Sequence, residues 1–68
     1  MFISYVIKVN GSVYKTTKTP LIDLLEIKKL QCKGRTLNGS CGPVSIRHCS
    51  AWAICEDNNG NLSEREIA

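Results

Sequence analysis

The chain begins with two runs in which apolar and polar residues alternate. FISYVIKV at 2–9 and SVYKTT at 12–17 both have the period of two that is typical of β-strands with one buried face. Asn10-Gly11 between them favours a type I′ turn, so the pattern predicts strands near 2–9 and 12–18 that form a hairpin. A two-residue loop pairs Val9 with Ser12, Ile7 with Tyr14 and Tyr5 with Thr16. The face predicted to point to the core carries Ile3, Tyr5, Ile7, Val9, Tyr14 and Thr16.

The next segment changes to helical periodicity. Thr19 is a typical N-cap residue and Pro20 suits the first helical position, which together predict a helix over residues 20–33. Gly34 suits the C′ position that ends such a helix. The apolar stripe expected to face the core consists of Leu21, Leu24, Leu25, Ile27 and Cys32.

The second half of the chain is predicted to contain a loop, a long strand and a short last strand. Turn residues are dense in RTLNGSCGP at 35–43, whereas VSIRHCSAWAICE at 44–56 has the composition of an extended run. The odd positions of that run become small from Cys49 to Cys55, so a helix can pack closely on that face while Trp52 is exposed on the other. DNNGN indicates a turn before a strand in LSEREI. The predicted fold class is therefore α+β: a small antiparallel sheet of order β-β-α-β-β with one helix packed on one face, in a single domain over 1–68.

Size and charge limit the classes of function. A chain of 68 residues buries only roughly 60% of its unfolded surface, which leaves little room for a pocket around a large substrate, so we expect no enzyme. No apolar run approaches the ~18 residues of a membrane span, and the start lacks the basic region of a signal peptide. We expect a cytoplasmic protein without membrane contact. The net charge of +3 is concentrated in residues 1–50, which hold eight Lys and Arg against two acids. That part can face nucleic-acid phosphates or an acidic protein surface.

The cysteines give no metal-binding pattern. Cys32, Cys41, Cys49 and Cys55 lack the close Cys-x-x-Cys pairs of most zinc sites. We therefore predict reduced thiols, no metal and no cofactor. A zinc site that also used His48 would require the fold to gather residues that are distant in sequence.

Residues 28–35, KKLQCKGR, form the most concentrated basic stretch. Cations and a glycine are what a helix C-terminus favours. Gln31 between the lysines and Arg35 beyond the cap are not required for that purpose. An amide both donates and accepts hydrogen bonds, and the cations can bind a carboxylate or a phosphate. We therefore predict a contact surface made of Gln31, Lys29, Lys28, Lys33 and Arg35.

Several short motifs add a resemblance. YVIK at 5–8, KLQCKG at 29–34, VSIR at 44–47 and Trp52 followed by Glu56-Asp57 are similar to segments of small anti-CRISPR proteins from phages and mobile elements, in particular a type I-F inhibitor family. The resemblance implies a non-enzymatic inhibitor that docks on the backbone subunits of a type I-F CRISPR surveillance complex. It implies that target DNA can then no longer hybridise to the guide RNA, and that Gln31 is a docking position with Lys29 as its basic neighbour. The chain departs from the family in having Leu24 and Leu25 where the family shows basic residues.

The expected partner is thus a host protein complex, with nonspecific DNA contact as an additional expectation. The alternative is a small cytosolic module that binds zinc or nucleic acid. A core of this size supplies no more than ~3–5 kcal/mol, so stability is expected to depend on a dimer partner, a metal or a larger complex. The expected oligomeric state is a monomer or a weak homodimer.

Overall fold

A computed structural model describes residues 1–39 and 42–68 and shows an α+β fold with one helix, as predicted. The elements are β1 (Phe2–Val9), β2 (Ser12–Thr17), α1 (Pro20–Cys32), β3 (Thr36–Gly39), β4 (Gly42–Ser45), β5 (Cys49–Glu56) and β6 (Leu62–Glu66). Four strands form an antiparallel sheet in the order β2-β1-β5-β6, and β3 and β4 pair as a separate two-stranded sheet. Among the described residues, no helix is long and apolar enough to cross a membrane.

The N-terminal hairpin forms at the predicted turn. Asn10 and Gly11 have φ angles of 55° and 86°, and a type I′ turn requires positive φ at both central residues. Val9 pairs with Ser12 as expected.

From Ile7 onward the predicted register is wrong, because the hairpin contains a β-bulge. Lys8 pairs with Val13 and Ile7 pairs with Lys15, which leaves Tyr14 as the extra residue of β2. Tyr14 is consequently exposed rather than in the core, and Lys15 takes the position opposite Ile7. Ile3, also predicted to be buried, lies at a second irregularity between β1 and β5 and is exposed.

The core lies between one face of the sheet and α1. Ile7 and Ala51 are completely buried, and Leu24 and Ile27 of the helix pack against them. The small residues of β5 therefore face the helix, as predicted. The remaining members of the core cluster come from both sheets and the segment after β4: Val9, Leu37, Ile46 and Cys49.

The helix begins and ends close to the predicted residues, but its buried stripe is narrower. Leu21, Leu25 and Cys32 are exposed although the sequence pattern placed them in the core. Pro20, Leu24 and Ile27 are the buried positions, and Leu30 packs partly against the core. The sheet is only four strands wide, so one narrow stripe of α1 meets it and the flanking apolar positions stay in contact with solvent.

A strand lies within 44–56 as predicted, at Cys49–Glu56, but the extended run expected over the whole of 44–56 is interrupted. Residues 46–48 leave the extended ladder between β4 and β5, and Ile46 turns into the core there. The upstream part, Gly42–Ser45, pairs with Thr36–Gly39, so most of the segment predicted to be a loop is a second hairpin. Ser40 and Cys41 of that predicted loop lie outside the described residues. The bend at residues 46–48 explains both the interruption of the extended run and the second hairpin. It separates Gly42–Ser45 from β5, and Gly42–Ser45 then pairs with Thr36–Gly39.

One side chain holds that bend to the first hairpin. The Asn10 amide donates to the Ser45 carbonyl over 2.8 Å, and its Oδ1 accepts from the backbone N–H groups of Arg47 (2.8 Å) and His48 (3.1 Å). The backbone N–H of Asn10 also donates to the His48 carbonyl over 2.7 Å. Asn10 thus serves both as the turn residue of the first hairpin and as the cross-link to the segment between β4 and β5.

The sheet face opposite the helix carries a smaller ordered group. Trp52 was predicted to be exposed but is half-buried, because the Lys8 ammonium lies 4.4 Å from its ring centroid. Lys8 also pairs with Glu64, and the Trp52 indole N–H donates to Ser50 over 2.7 Å. This group covers Val6 and Ser50, so part of the face without a helix is nevertheless shielded from water.

The start of the helix is held by a carboxylate instead of a side-chain cap. Thr19 occupies the N-cap position and its carbonyl accepts from the Asp23 N–H, but its hydroxyl bonds to no helix N–H. The Asp23 carboxylate instead accepts from the hydroxyls of Thr17 and Thr19 and lies 3.5 Å from the Lys15 ammonium. The Thr17 hydrogen bond, followed by the Lys15 charge, lowers the pKa of Asp23 below its ordinary value of 3.8.

The Asn10 cross-link predicts a specific loss of stability. Replacement Asn10→Gly keeps the positive φ but removes three hydrogen bonds, so the free energy of unfolding is expected to fall by about 1–3 kcal/mol in urea titrations. Asn58→Gly, in the turn after β5, is the matched control and is expected to change it by less than about 0.5 kcal/mol. Equal losses in the two variants would show that glycine itself, and not the cross-link, is responsible.

The Asp23 network predicts a pH dependence. A carboxyl whose pKa is lower in the folded state stabilises the fold above its unfolded pKa, and this contribution is lost as the pH falls through the folded pKa. Stability is therefore expected to decline below about pH 4, and Asp23→Asn is expected to remove that part of the decline. Thr17→Val is expected to raise the pKa of Asp23 in an NMR titration of the side-chain carboxyl, whereas Thr16→Val, on the other sheet face, leaves it unchanged. An unchanged pKa in Thr17→Val would contradict this assignment of its main cause.

Candidate docking surface

The stretch 28–35 combines the last turns of α1 with a tight helix stop. The Gly34 N–H donates to the Gln31 carbonyl over 3.0 Å, and the Arg35 N–H donates to the Leu30 carbonyl over 2.9 Å. These are the two bonds of a Schellman motif, in which the C′ residue has positive φ; Gly34 has φ 69°. Gly34 is therefore the C′ residue that the sequence predicted, and the backbone N–H of Arg35 points back to the helix end.

Gln31 uses its amide inside the molecule. Its Nε2 donates to the Arg47 carbonyl over 2.9 Å, and its Oε1 lies 3.8 Å from the Cys49 thiol as a weak acceptor. The side chain is half-buried between the helix and the segment that precedes β5. Its role as a partner contact stays a prediction, but the structure gives the amide a structural role that the sequence did not indicate.

The hydrogen bond from Gln31 to the Arg47 carbonyl holds the backbone of an additional cationic residue beside the helix end. Arg47 is exposed beside Gln31, although twelve positions separate Arg47 from Arg35 in sequence. We call the surface formed by Lys28, Lys29, Lys33, Arg35 and Arg47 the basic end. Sequence reasoning missed Arg47 because the contact that places it is between a side chain and a backbone carbonyl, for which no residue pattern is diagnostic.

The cations of the basic end are free to meet a partner. All five are exposed, and neither of the two ion pairs found in residues 1–39 and 42–68 includes any of them. Three of the five, Lys29, Lys33 and Arg35, lie in the last turn of α1 or just beyond it, where the helix dipole stabilises positive charge. The surface can therefore bind carboxylates or phosphates without first breaking an internal ion pair.

Most acids lie far from the basic end. Glu56 is the last residue of β5 and Asp57 follows it, whereas Arg47 precedes the first residue, a separation of roughly 25 Å along an extended strand. Asp57 is itself engaged, since the backbone N–H groups of Asn61 and Asn59 donate to its carboxylate and lower its pKa. On α1, Asp23 faces Lys15 and Thr17, which leaves Glu26 as the acid on the helix surface. Five of the nine Lys and Arg residues thus belong to the basic end, whereas Glu56 and Asp57 lie at the other end of β5.

The thiols differ in environment. Cys49 is buried in the core, Cys32 is exposed on α1, and Cys55 is half-buried near the other end of β5; all three are free. Cys41 lies outside the described residues. Within 1–39 and 42–68, no three His, Cys, Asp or Glu side chains are grouped as metal ligands would be. The absence of bound metal from the protein stays a prediction.

Comparison of the chain with protein-family models, with curated proteins and with solved structures gave no match. Function is therefore inferred from the residues and their arrangement.

The Gln31 bridge predicts a stability effect that is separate from docking. Gln31→Ala removes the hydrogen bond that the half-buried Gln31 amide donates to the Arg47 carbonyl, so the free energy of unfolding is expected to fall by about 1 kcal/mol. Lys28→Ala, an exposed position on the same helix, is expected to change it by less than about 0.5 kcal/mol. Thermal and urea unfolding measure both. A Gln31→Ala protein as stable as wild type would mean that the amide does not hold residues 46–48 in place.

Proposed function

We propose that this protein is a non-enzymatic inhibitor that binds a host protein complex through the basic end. Following the resemblance of its short motifs, the proposed partner is a type I-F CRISPR surveillance complex, and the consequence of docking is that target DNA no longer hybridises to the guide RNA. The single observation that carries the proposal is the concentration of five exposed, unpaired cations at one end of a small fold.

The basic end is a positively charged surface on a rigid backbone. The Schellman motif holds Lys33 and Arg35 at the helix stop, and the Gln31 bond holds Arg47 beside them. Because the backbone is fixed at these points, binding costs chiefly the ordering of the long side chains. Arginine adds bidentate hydrogen bonding to carboxylate or phosphate groups, which a point charge does not provide.

The charge distribution restricts which groups of the partner complex the basic end can contact. A channel lined with basic residues would repel the basic end, and the acids that would suit such a channel, Glu56 and Asp57, lie at the opposite end of β5. We therefore place the basic end against anionic groups of the complex: acidic side chains of its subunits or the phosphates of its guide RNA.

Nucleic-acid binding without a protein partner is the second candidate, favoured by the same five cations. A module of this kind would bind a bare duplex, with a logarithmic salt slope of roughly −0.9 per phosphate contacted. The two candidates are separated by measuring affinity for the complex and for DNA alone over the same range of salt. The zinc-binding alternative is tested by metal analysis of protein that has not been treated with chelators.

Charge reversal at the basic end tests the proposal. Lys29→Glu and Arg35→Glu are each expected to weaken binding to an immobilised type I-F complex by on the order of 1–3 kcal/mol, or about 5–150-fold in the dissociation constant. They should relieve inhibition of target-DNA hybridisation in parallel. Arg65→Glu is the matched control, since Arg65 is equally a solvent-exposed arginine but lies on β6. Its dissociation constant is expected to stay within about twofold of wild type.

Two outcomes would contradict the proposal. One is the absence of binding between the wild-type protein and the complex. The other is equal weakening by Arg65→Glu and Arg35→Glu, which would indicate a response to net charge and not to the basic end. Circular dichroism and thermal unfolding of each variant exclude loss of fold as the cause.

A further inference from the structure

The end of the molecule opposite the basic end is apolar. Here the start of β1, the end of β2, the first turn of α1 and the residue after β6 leave large side chains in solvent. Leu21 and Ile22 are 63% and 60% exposed, and Phe2 is 50% exposed. The side chains line two neighbouring hollows that share Tyr5 and Lys18. We call this surface the apolar end; it consists of Phe2, Ile3, Tyr5, Leu21, Ile22 and Ile67.

The apolar end is large for so small a protein. At ~200 Å² for a fully exposed side chain of this size, its members expose roughly 500 Å² of apolar surface. The total accessible surface is 5006 Å², so this is about a tenth of the molecule. A standard protein interface covers a similar fraction of a small protein, and apolar patches of this extent mark interaction sites. The core of the fold does not require these residues, since α1 packs on the sheet through Leu24 and Ile27.

The charges at its borders are of opposite sign. Three neighbouring strands of the sheet, β2, β1 and β5, end at this surface. Lys18 directly follows β2, Phe2 begins β1, and Glu56 ends β5. The Met1 ammonium donates to the Glu56 carbonyl, and the Glu56 N–H donates to the Met1 carbonyl over 2.7 Å, so Glu56 is fixed beside the chain start. The register places Lys18 beside Ser4 and Glu56 beside Met1, so the cation and the acid lie diagonally across Phe2 and Ile3, with backbones about 14 Å apart at the usual strand dimensions.

We propose that the apolar end is the interface of a homodimer, covered by a second copy of this chain. In this dimer, the two-fold axis passes midway between Lys18 and Glu56. Lys18 of each copy then faces Glu56 of the other, while Leu21 and Ile22 meet the same residues of the second copy. This is the self-complementarity that an isologous contact requires. The dimer directs its two basic ends away from each other, so both stay free to bind anionic partners.

The area of the apolar end determines the expected affinity of the dimer. A stable interface buries about 800 Å² on each partner, and the apolar end reaches that value only when its polar border is included. Association is therefore expected to be weak, with a dissociation constant on the order of 10–100 µM. Analytical ultracentrifugation of the purified protein from about 5 to 500 µM should show a reversible monomer–dimer equilibrium.

Substitutions at matched positions test the apolar end. Ile22→Glu is expected to raise the dimer dissociation constant at least about tenfold, because it buries a charge at the centre of the contact. Val13→Glu, at a 59% exposed β-branched residue beside the Asn10-Gly11 turn, is the control and is expected to change it less than about twofold. Ile22→Ala, which keeps the helix intact, is expected to weaken the dimer in the same direction.

A charge exchange tests the two-fold arrangement itself. Lys18→Glu and Glu56→Lys are each expected to weaken association about three- to tenfold, and the double variant is expected to return within about twofold of wild type. No host partner is present in these measurements, so their outcome is independent of the proposed function. A monomer up to 500 µM, equal effects of Ile22→Glu and Val13→Glu, or failure of the double variant to recover would each overturn the dimer. Protection of the apolar end by the surveillance complex in a chain that stays monomeric would assign the surface to that partner instead.

Discussion

The four hydrogen bonds of Asn10 join the parts of this fold that the sheet alone leaves separate. Asn10 lies in the turn of the first hairpin, and the segment between β4 and β5 passes beside it. Because the side chain satisfies backbone groups of Ser45, Arg47 and His48, the chain can leave one strand ladder and enter another without unpaired polar groups. Ile46 enters the core within this bend, and Cys49 begins β5 just after it. The positions of the second hairpin, the core and the basic end all depend on this geometry.

Local chemistry predicted the elements well. The Asn-Gly turn, the Thr-Pro helix start and Gly34 at the helix stop each specify a backbone conformation through their own residue types, and each occurs where expected. The small residues of β5 likewise indicated the face that α1 covers. These features depend on neighbours in sequence, so the sequence contains the information that determines them.

The errors arose where distant residues decide the outcome. The bulge at Tyr14 reverses which residues of β2 face the helix, and alternation along the strand could not reveal it. The bend at residues 46–48 depends on a side chain from position 10, and the placement of Arg47 depends on Gln31. The candidate surface was thus predictable as far as it is contiguous in sequence, from Lys28 to Arg35, and not where tertiary contacts extend it. The apolar stripe of α1 was overestimated because the width of the sheet is a property of the whole fold.

The pairing of β1 with β5 has a consequence for synthesis. These are the two central strands of the sheet, yet β1 is made first and β5 only after the helix and the second hairpin. Sequence separations of this size slow folding, since a long loop must close before the contacts form. While the ribosome is still adding residues 49–56, the core residues of β1 and the buried stripe of α1 lack the central strand β5 that they pack against in the finished fold. The fold therefore completes only after β5 has been translated, and a nascent chain that stops before Glu56 exposes surfaces that the finished fold buries.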